Sequence, residues 1–302
     1  MVKHGITLTN YKLTFFKIKF SVLPNNKRGN IIFTGKWKRR KGVLNKMKKI
    51  VFFDIDGTLL DHEKNLPEST KKAINLLQKN DVFVAIATGR APFMFEGLRK
   101  ILGVDSYVSF NGQFVVFENE VIYENSLNQN ELNKLFDHTK TNNHPLVFMN
   151  DKTMKASVKH HPFVEKSMGS LNFPHPEQDN SFYVNRKMYQ SLLFCEEKDE
   201  SLYFSDYPKF DFIRWHPYSV DVLPKGGSKA EGIKKMIERL GFELKDVYAF
   251  GDGLNDLEML KAVGTGVSMG NGVPEAKELA DFITNDVSED GIWNGLKELQ
   301  LI

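Results

Sequence analysis

The feature that most constrains the fold is a short apolar run, VFFDIDGTLL at residues 51–60, which contains two carboxylates followed by a glycine. The apolar residues at its start are typical of a β-strand that is buried on both faces. Side chains alternate along a strand, so Asp54 and Asp56 are expected on the same side at its C-terminal end, where open α/β sheets bind ligands. The two acids can bind a hard cation or divide nucleophile and acid–base roles, and the simplest alternative is a solvated acidic turn.

Strand-like and helix-like patterns alternate after this run and again near the C-terminus. Such alternation is typical of a parallel sheet with right-handed crossovers, and it predicts an α/β fold. The predicted strands are 51–55, 82–87, 107–110, 113–117, 121–123, 247–250, 263–269 and 282–283, and the predicted helices begin near Pro67, Pro92, Ser228, Pro274 and Asp290.

The pattern changes between about residues 128 and 221, where helix-like and strand-like segments no longer alternate regularly. The helix-like segments there are 131–139 and 161–168, and the strand-like ones are 154–158, 191–194 and 210–215. Mixed runs of this kind predict an inserted α+β unit. The expected division is therefore a basic extension at 1–46, a first core part at 47–127, the insert at 128–221 and a second core part at 222–302.

Composition limits the class of protein. Hydrophobic residues make up 41% and charged residues 26% of the chain, which is ordinary for a soluble globular protein. Cys195 is the only cysteine, so no internal disulfide can form, and a reduced, cytoplasmic setting is expected. No uninterrupted apolar run approaches the roughly 20 residues that span a bilayer.

The charge is distributed unevenly. Residues 1–46 contain twelve Lys or Arg and no acid, whereas the remainder has 29 basic and 38 acidic side chains, a formal charge of −9. The acidic body does not suggest a nucleic-acid binder. The basic segment is a nucleic-acid or membrane arm, a targeting peptide, or a segment outside the natural protein. We favour the last, with a start at Met47, and N-terminal sequencing of the native protein tests this.

Further polar residues stand at the predicted strand ends and helix starts. Thr88 follows the second strand, Lys229 opens a helix, and Asp252 and Asp256 follow a later strand with the spacing of one helical turn. Carboxylates with a hydroxyl and a lysine suit a phosphate ester and Mg²⁺, because the acids hold the cation while the other groups neutralise the phosphoryl oxygens.

Four motifs resemble those of the haloacid dehalogenase-like (HAD) hydrolases, specifically the Cof-type phosphatases. They are FDIDGT at 53–58, ATGR at 87–90, GSK at 227–229 and GDGLND at 251–256. The resemblance runs from about Met47 to the C-terminus. It implies a Rossmann-like parallel-sheet core with helices on both faces and an inserted α+β cap domain of the C2 type.

The resemblance also implies roles for individual residues. Asp54 would be the nucleophile that forms an aspartyl-phosphate, and Asp56 would be the general acid and base. The other implied roles are binding of the phosphoryl group by Thr88, Gly89, Lys229 and Asn255, and binding of Mg²⁺ by Asp54, Asp252, Asp256 and the backbone carbonyl of Asp56.

Other polar residues are each compatible with two kinds of role on sequence grounds. Arg90 and Asn111 lie near strand ends, where a substrate contact and a local structural role are equally compatible with the pattern. Four residues of the insert could bind the sugar or nucleotide part of a substrate, although a surface or packing role is favoured for them. They are His160, His161, Arg214 and His216.

The predicted function is hydrolysis of small phosphomonoesters, either sugar phosphates or phosphorylated cofactors, by a cytoplasmic Mg²⁺-dependent phosphatase. Its partner would be a small phosphorylated metabolite, without nucleic acid or membrane, and the protein would be a monomer or homodimer. One alternative is a phosphomutase, which returns the phosphoryl group to a sugar. The other is a non-catalytic binding protein that uses the basic N-terminal arm.

Overall fold

A computed structural model of the chain describes residues 49–302. The predictions for the basic extension at 1–46 and for a start at Met47 lie outside these residues. Within the described part of the chain, no helix is both long enough and apolar enough to cross a membrane.

Two β-sheets and eight α-helices form the described part of the chain. In chain order the strands are β1 (Ile50–Phe53), β2 (Phe83–Ala87), β3 (Tyr107–Ser109), β4 (Phe114–Phe117), β5 (Glu120–Glu124), β6 (Leu146–Met149), β7 (Met154–Ala156), β8 (Gln190–Leu193), β9 (Phe210–His216), β10 (Ser219–Pro224), β11 (Val247–Gly251), β12 (Thr265–Ser268) and β13 (Phe282–Ile283). The helices are α1 (Glu68–Lys79), α2 (Glu96–Leu102), α3 (Gln129–Thr141), α4 (Pro162–Ser170), α5 (Lys229–Leu240), α6 (Leu257–Ala262), α7 (Pro274–Leu279) and α8 (Gly291–Glu298).

The larger sheet has eight strands in the order β13-β12-β11-β1-β2-β3-β4-β5. Its strands pair in parallel from β13 to β3, and β4 and β5 add an antiparallel hairpin at one edge. The predicted α/β fold with a mostly parallel sheet is therefore confirmed. The opening run forms β1 in the interior of this sheet, so its C-terminal end meets the ends of β2 and β11.

Both faces of β1 are covered, which explains why its four residues are all apolar. Val51 and Phe53 belong to the same buried cluster as residues of α1 and α8. Ile50 and Phe52 belong to a cluster on the other face, together with residues of α5 and α6. Each of the four strand residues is fully buried, so the strand is fixed from both sides and its carboxyl end is a rigid platform.

The smaller sheet has five antiparallel strands in the order β7-β6-β8-β10-β9. The sequence patterns indicated three of these strands and missed β6 and β10. Strand β10 is buried along its whole length and continues to Pro224, three residues past the boundary expected at 221. The polar Asp221 in its interior interrupts the apolar pattern, and a strand that is buried on both faces shows no alternation.

A short turn connects β3 to the hairpin and touches the start of α5. Asn111 has a left-handed backbone with φ 50°, and Gly112 follows with φ 96°. A Cβ on Gly112 would lie 1.9 Å from the carbonyl oxygen of Ser228, so only glycine allows this close approach. The turn therefore places Asn111 beside the helix start that carries Lys229.

The buried side of the smaller sheet is expected to contribute strongly to stability. Leu193 on β8 is fully buried, whereas Leu202 in the same region is 40% exposed. Leu193→Ala should lower the free energy of unfolding by about 2–5 kcal/mol, because it leaves a cavity. The matched change Leu202→Ala should cost less than about 1 kcal/mol. Urea unfolding followed by circular dichroism measures both, and equal losses would contradict the observed burial.

Candidate active site

Lys229 lies at the centre of the site, at the first turn of α5. The Ser228 side chain caps this helix by accepting a hydrogen bond from the backbone N–H of Glu231. The Lys229 Nζ donates to Asp54 Oδ1 at 2.6 Å and to Asp256 Oδ1 at 2.7 Å, and its side chain is fully buried. Burial alone would lower the pKa of Lys229, but the two acids outweigh it and raise the pKa, so the lysine is positively charged.

Asp54 follows β1 directly and is 6% exposed. Burial raises the pKa of Asp54 well above its ordinary value, Lys229 acts against this, and the neighbouring acids raise it further. Carboxylate oxygens of Asp54, Asp252 and Asp256 lie within 4.8 Å of one another. Burial and the Asp256 charge likewise raise the pKa of Asp252, to about 6. Three acids thus lie close together with one lysine, which is bonded to two of them, and a divalent cation with oxygen ligands would relieve their repulsion.

Asp256 reaches this cluster from the protein interior. It is fully buried, and its Oδ2 accepts hydrogen bonds from the backbone N–H groups of Asp252 and Gly253, both at 2.9 Å. Its Oδ1 accepts from Lys229. Asp256 therefore fixes both the loop that carries Asp252 and the ammonium group of the lysine, and it is the least accessible of the three acids.

Gly57 allows the two halves of the site to approach. Its φ is 83°, and a Cβ there would lie 2.3 Å from Asp252 Oδ2. Thr58 donates from Oγ1 to Asp252 Oδ1 at 2.8 Å, and Asn271 donates from Nδ2 to the Gly57 carbonyl at 2.8 Å. Asn271 had no sequence signal, because its contact depends on how a distant loop folds back onto the turn.

The Asp56 side chain lies outside the three-acid cluster and has its own cations. Arg90 donates from Nε to Asp56 Oδ2 at 2.8 Å and from Nη2 to Oδ1 at 2.6 Å, and Lys64 Nζ donates to Oδ1 at 2.7 Å. Burial acts to raise the pKa of Asp56, but Arg90 and Lys64 together lower it. A substrate contact was one of the two roles considered for Arg90, and in the structure its side chain binds Asp56. Lys64, the other cation bound to Asp56, had no sequence signal.

Thr88, Gly89 and Asn255 meet around Asn111. The backbone N–H of Asn111 donates to the Thr88 carbonyl at 3.1 Å, and Asn255 Nδ2 donates to Asn111 Oδ1 at 3.2 Å. A Cβ on Gly89 would lie 3.1 Å from the Asn111 amide, so a side chain there would displace it. Thr88 is buried, and its Oγ1 accepts from the Arg90 backbone N–H. All ten residues expected at the site therefore lie in one connected group at the carboxyl ends of the strands.

The four polar residues singled out in the insert have local partners. His161 caps α4 by accepting from the backbone N–H of Phe163. The remaining contacts are those of His160 with Glu165, of Arg214 with Glu200 and the Cys195 carbonyl, and of His216 with Ser167. These contacts are local and agree with the surface or packing role favoured for the four residues on sequence grounds.

Loss of the central lysine is expected to destabilise the protein. Lys229→Met would leave two buried carboxylates unpaired and should cost about 3–5 kcal/mol of unfolding free energy in metal-free buffer at pH 8. The deficit should shrink toward pH 5, because the raised pKa of Asp54 lets it take up a proton. Lys225→Met removes an exposed ion pair with Asp211 and should cost about 1 kcal/mol or less. Equal losses in urea unfolding would contradict this account.

Comparison with known proteins gives the same family as the motifs. The sequence matches the haloacid dehalogenase-like hydrolase family over residues 51–296. It is 54% identical over 254 residues to "Putative phosphatase YkrA" of Bacillus subtilis, a match that covers 84% of this chain and 98% of YkrA.

Solved structures have the same fold. One is the crystal structure of a hypothetical protein from Geobacillus kaustophilus HTA426, whose sequence is 58% identical to this chain. The two structures superpose with a TM-score of 0.82, and the match covers 84% of this chain and 100% of the other protein. The HAD subclass IIB sugar phosphatase BT4131 is 30% identical, with a TM-score of 0.75 and coverage of 84% and 100%. The chain therefore belongs to the haloacid dehalogenase-like hydrolase family and is a phosphatase of that family.

Proposed function

We propose that the protein is a Mg²⁺-dependent phosphatase that hydrolyses small phosphomonoesters through an aspartyl-phosphate on Asp54. The observation that carries this proposal is the buried Lys229, which bridges Asp54 and Asp256 beside a third acid, Asp252. The arrangement combines a nucleophilic carboxylate, oxygen ligands for a cation and an ammonium group that can neutralise a phosphoryl oxygen.

The donor set fits Mg²⁺. Asp54 and Asp252 offer carboxylate oxygens, the backbone carbonyl of Asp56 is a third candidate, and Asp256 supports them from the interior. All are hard oxygen ligands, which Mg²⁺ prefers. When bound, the ion would offset the repulsion among the acids and part of the phosphate charge, and so favour the ionised form of Asp54.

Asp54 and Asp56 would divide the chemistry. An Asp54 oxygen forms a bond to phosphorus while the bond from phosphorus to the ester oxygen breaks, and Asp56 gives that oxygen a proton. Asp56 then takes a proton from the water that attacks the aspartyl-phosphate, which releases phosphate and restores Asp54. Arg90 and Lys64 hold Asp56 ionised in this structure, and an entering phosphate would offer them another anion and allow Asp56 to be protonated.

The smaller sheet would act as a cap that selects the substrate. It is inserted between β5 and α5, beside the loops that carry the phosphate site. We retain 128–221 as the extent of the insert, although its strand β10 continues to Pro224. Closure of such a unit excludes water before attack. Because BT4131 is named as a sugar phosphatase, we favour a sugar phosphate as substrate, in the cytoplasm.

Removal of the nucleophile tests the reaction. Asp54→Asn should lower phosphate release from a panel of sugar phosphates by roughly a thousandfold or more, because an amide cannot form the intermediate. The exposed Asp290→Asn is the matched control and should retain the wild-type rate. Analysis of the products for free phosphate and for isomerised sugar phosphate separates a phosphatase from a phosphomutase. Substantial turnover by Asp54→Asn would refute the proposed mechanism.

Metal removal tests the cation site. Dialysis against EDTA should abolish hydrolysis, and added Mg²⁺ should restore it. Mg²⁺ should also raise the melting temperature of the wild type, because it binds the folded state selectively, and this rise should be smaller in Asp252→Asn. Undiminished hydrolysis in EDTA, or an equal rise in melting temperature for both proteins, would count against the assigned ligands.

A further inference from the structure

Asp221 is a buried acid of the smaller sheet whose hydrogen-bond partners are all uncharged. It lies within β10, is 7% exposed, and accepts hydrogen bonds from Gln190 Nε2 at 2.7 Å and Asn111 Nδ2 at 3.3 Å. In the described part of the chain it forms no ion pair. Burial raises the pKa of Asp221 to about 8, so its carboxyl group is mostly neutral at pH 7.

Asn111 connects this acid to the phosphate site. One end of its amide donates to Asp221, the other accepts from Asn255, and its backbone N–H donates to the Thr88 carbonyl. Asn111 is 4% exposed, and its left-handed backbone is held in the turn against α5. Its position is therefore determined jointly by the smaller sheet and by two loops of the larger one.

We propose that Asp221 is a positioning residue that couples the placement of the smaller sheet to the phosphate site, by holding Asn111 and, through it, Asn255. The proposal rests on the proposed phosphatase function and adds a regulatory link to it. The hydrogen bond between Asn111 and Asp221 joins the two sheets, so movement of the smaller sheet away from the turn breaks it. Asn255 is then oriented fully only when the cap lies in the arrangement seen here.

The buried position favours the neutral form of Asp221, because burial outweighs the hydrogen bonds from Gln190, Trp215 and Asn111 that act to lower its pKa. Titratable groups on the elements around β10 are engaged elsewhere, so none offsets a negative charge at this position. These contacts are His216 with Ser167, Arg214 with Glu200, Asp211 with Lys225, Glu165 with His160, Lys166 with the Tyr218 ring, Tyr189 with Glu124, and Arg90 with Asp56. Ionisation would leave an uncompensated buried charge, which favours hydration and loosening of the contact.

Phosphate release by the full-length protein with Mg²⁺, measured from pH 6 to pH 10, tests the link. The wild-type rate should fall above about pH 8. Asp221→Asn, which mimics the neutral acid, should remain within about twofold of wild type at pH 7 and lose this alkaline fall. Asp221→Ala should lose about five- to tenfold at pH 7, mostly in kcat, because it removes the hydrogen bonds. The exposed cap variant Asp137→Asn should keep the wild-type profile.

Unfolding in urea between pH 4 and pH 9 gives a readout that does not depend on catalysis. The folded pKa of Asp221 lies above that of the unfolded chain, so the native state retains a proton that the unfolded state has released. The wild type should therefore lose stability relative to Asp221→Asn as pH rises from about 4 to about 8, and no further above that. A difference between the two proteins that does not vary with pH would overturn the neutral state of Asp221.

The outcomes separate this inference from the proposed function. If the wild type is active but the rate of Asp221→Asn falls at alkaline pH as the wild-type rate does, the positioning role alone is overturned. A wild-type kcat in Asp221→Ala would also overturn it. A wild type that releases no phosphate from any ester with Mg²⁺ overturns the proposed function and this inference with it. Near-ultraviolet circular dichroism of each variant at pH 7 shows whether a loss of rate reflects loss of the fold.

Discussion

The buried ion pairs of Lys229 connect distant segments of the chain and form the centre of the proposed active site. One ammonium group joins the start of α5 to Asp54, which lies 175 residues earlier in the chain, and to Asp256 after β11. A buried charge without its partner is strongly unfavourable, so these three segments have to fold against one another. The same contact places a positive charge beside the proposed nucleophile, and stability and reactivity therefore depend on one interaction.

Asp54 and Asp56 are two residues apart in the sequence and lie in opposite electrostatic environments. Asp54 lies among other carboxylates, and its pKa is raised, whereas Asp56 lies between Arg90 and Lys64, and its pKa is lowered. Divergent environments of this kind allow two similar groups to take different roles. A cation at the three-acid cluster and an anion at the two basic side chains would reverse both shifts. In the proposed mechanism, metal and phosphate ester together would therefore set the protonation states that the reaction needs.

The sequence predicted the strand ends well because geometry leaves little choice there. Carboxyl ends of adjacent parallel strands meet at one edge, so Asp54, Thr88 and Asp252 were expected together without knowledge of any contact. Lys64 could not be predicted, because its contact with Asp56 depends on a loop in which the lysine adopts a φ of 65°. Strand β10 was missed for a related reason, since Asp221 is polar in sequence and becomes compatible with burial through uncharged hydrogen-bond partners on distant segments.

The contact between the two sheets combines apolar packing with neutral hydrogen bonds. Tyr189, which immediately precedes β8, lies with its ring centre 5.7 Å from that of Phe110 and 4.8 Å from that of Phe114. Beside this packing, Asp221 and Asn111 form their hydrogen bond. A buried ion pair here would hold the sheets together strongly, whereas neutral groups contribute only about 1 kcal/mol per hydrogen bond. The proposed cap would have to open for each substrate, and the weaker contact made by a neutral aspartic acid would allow this opening.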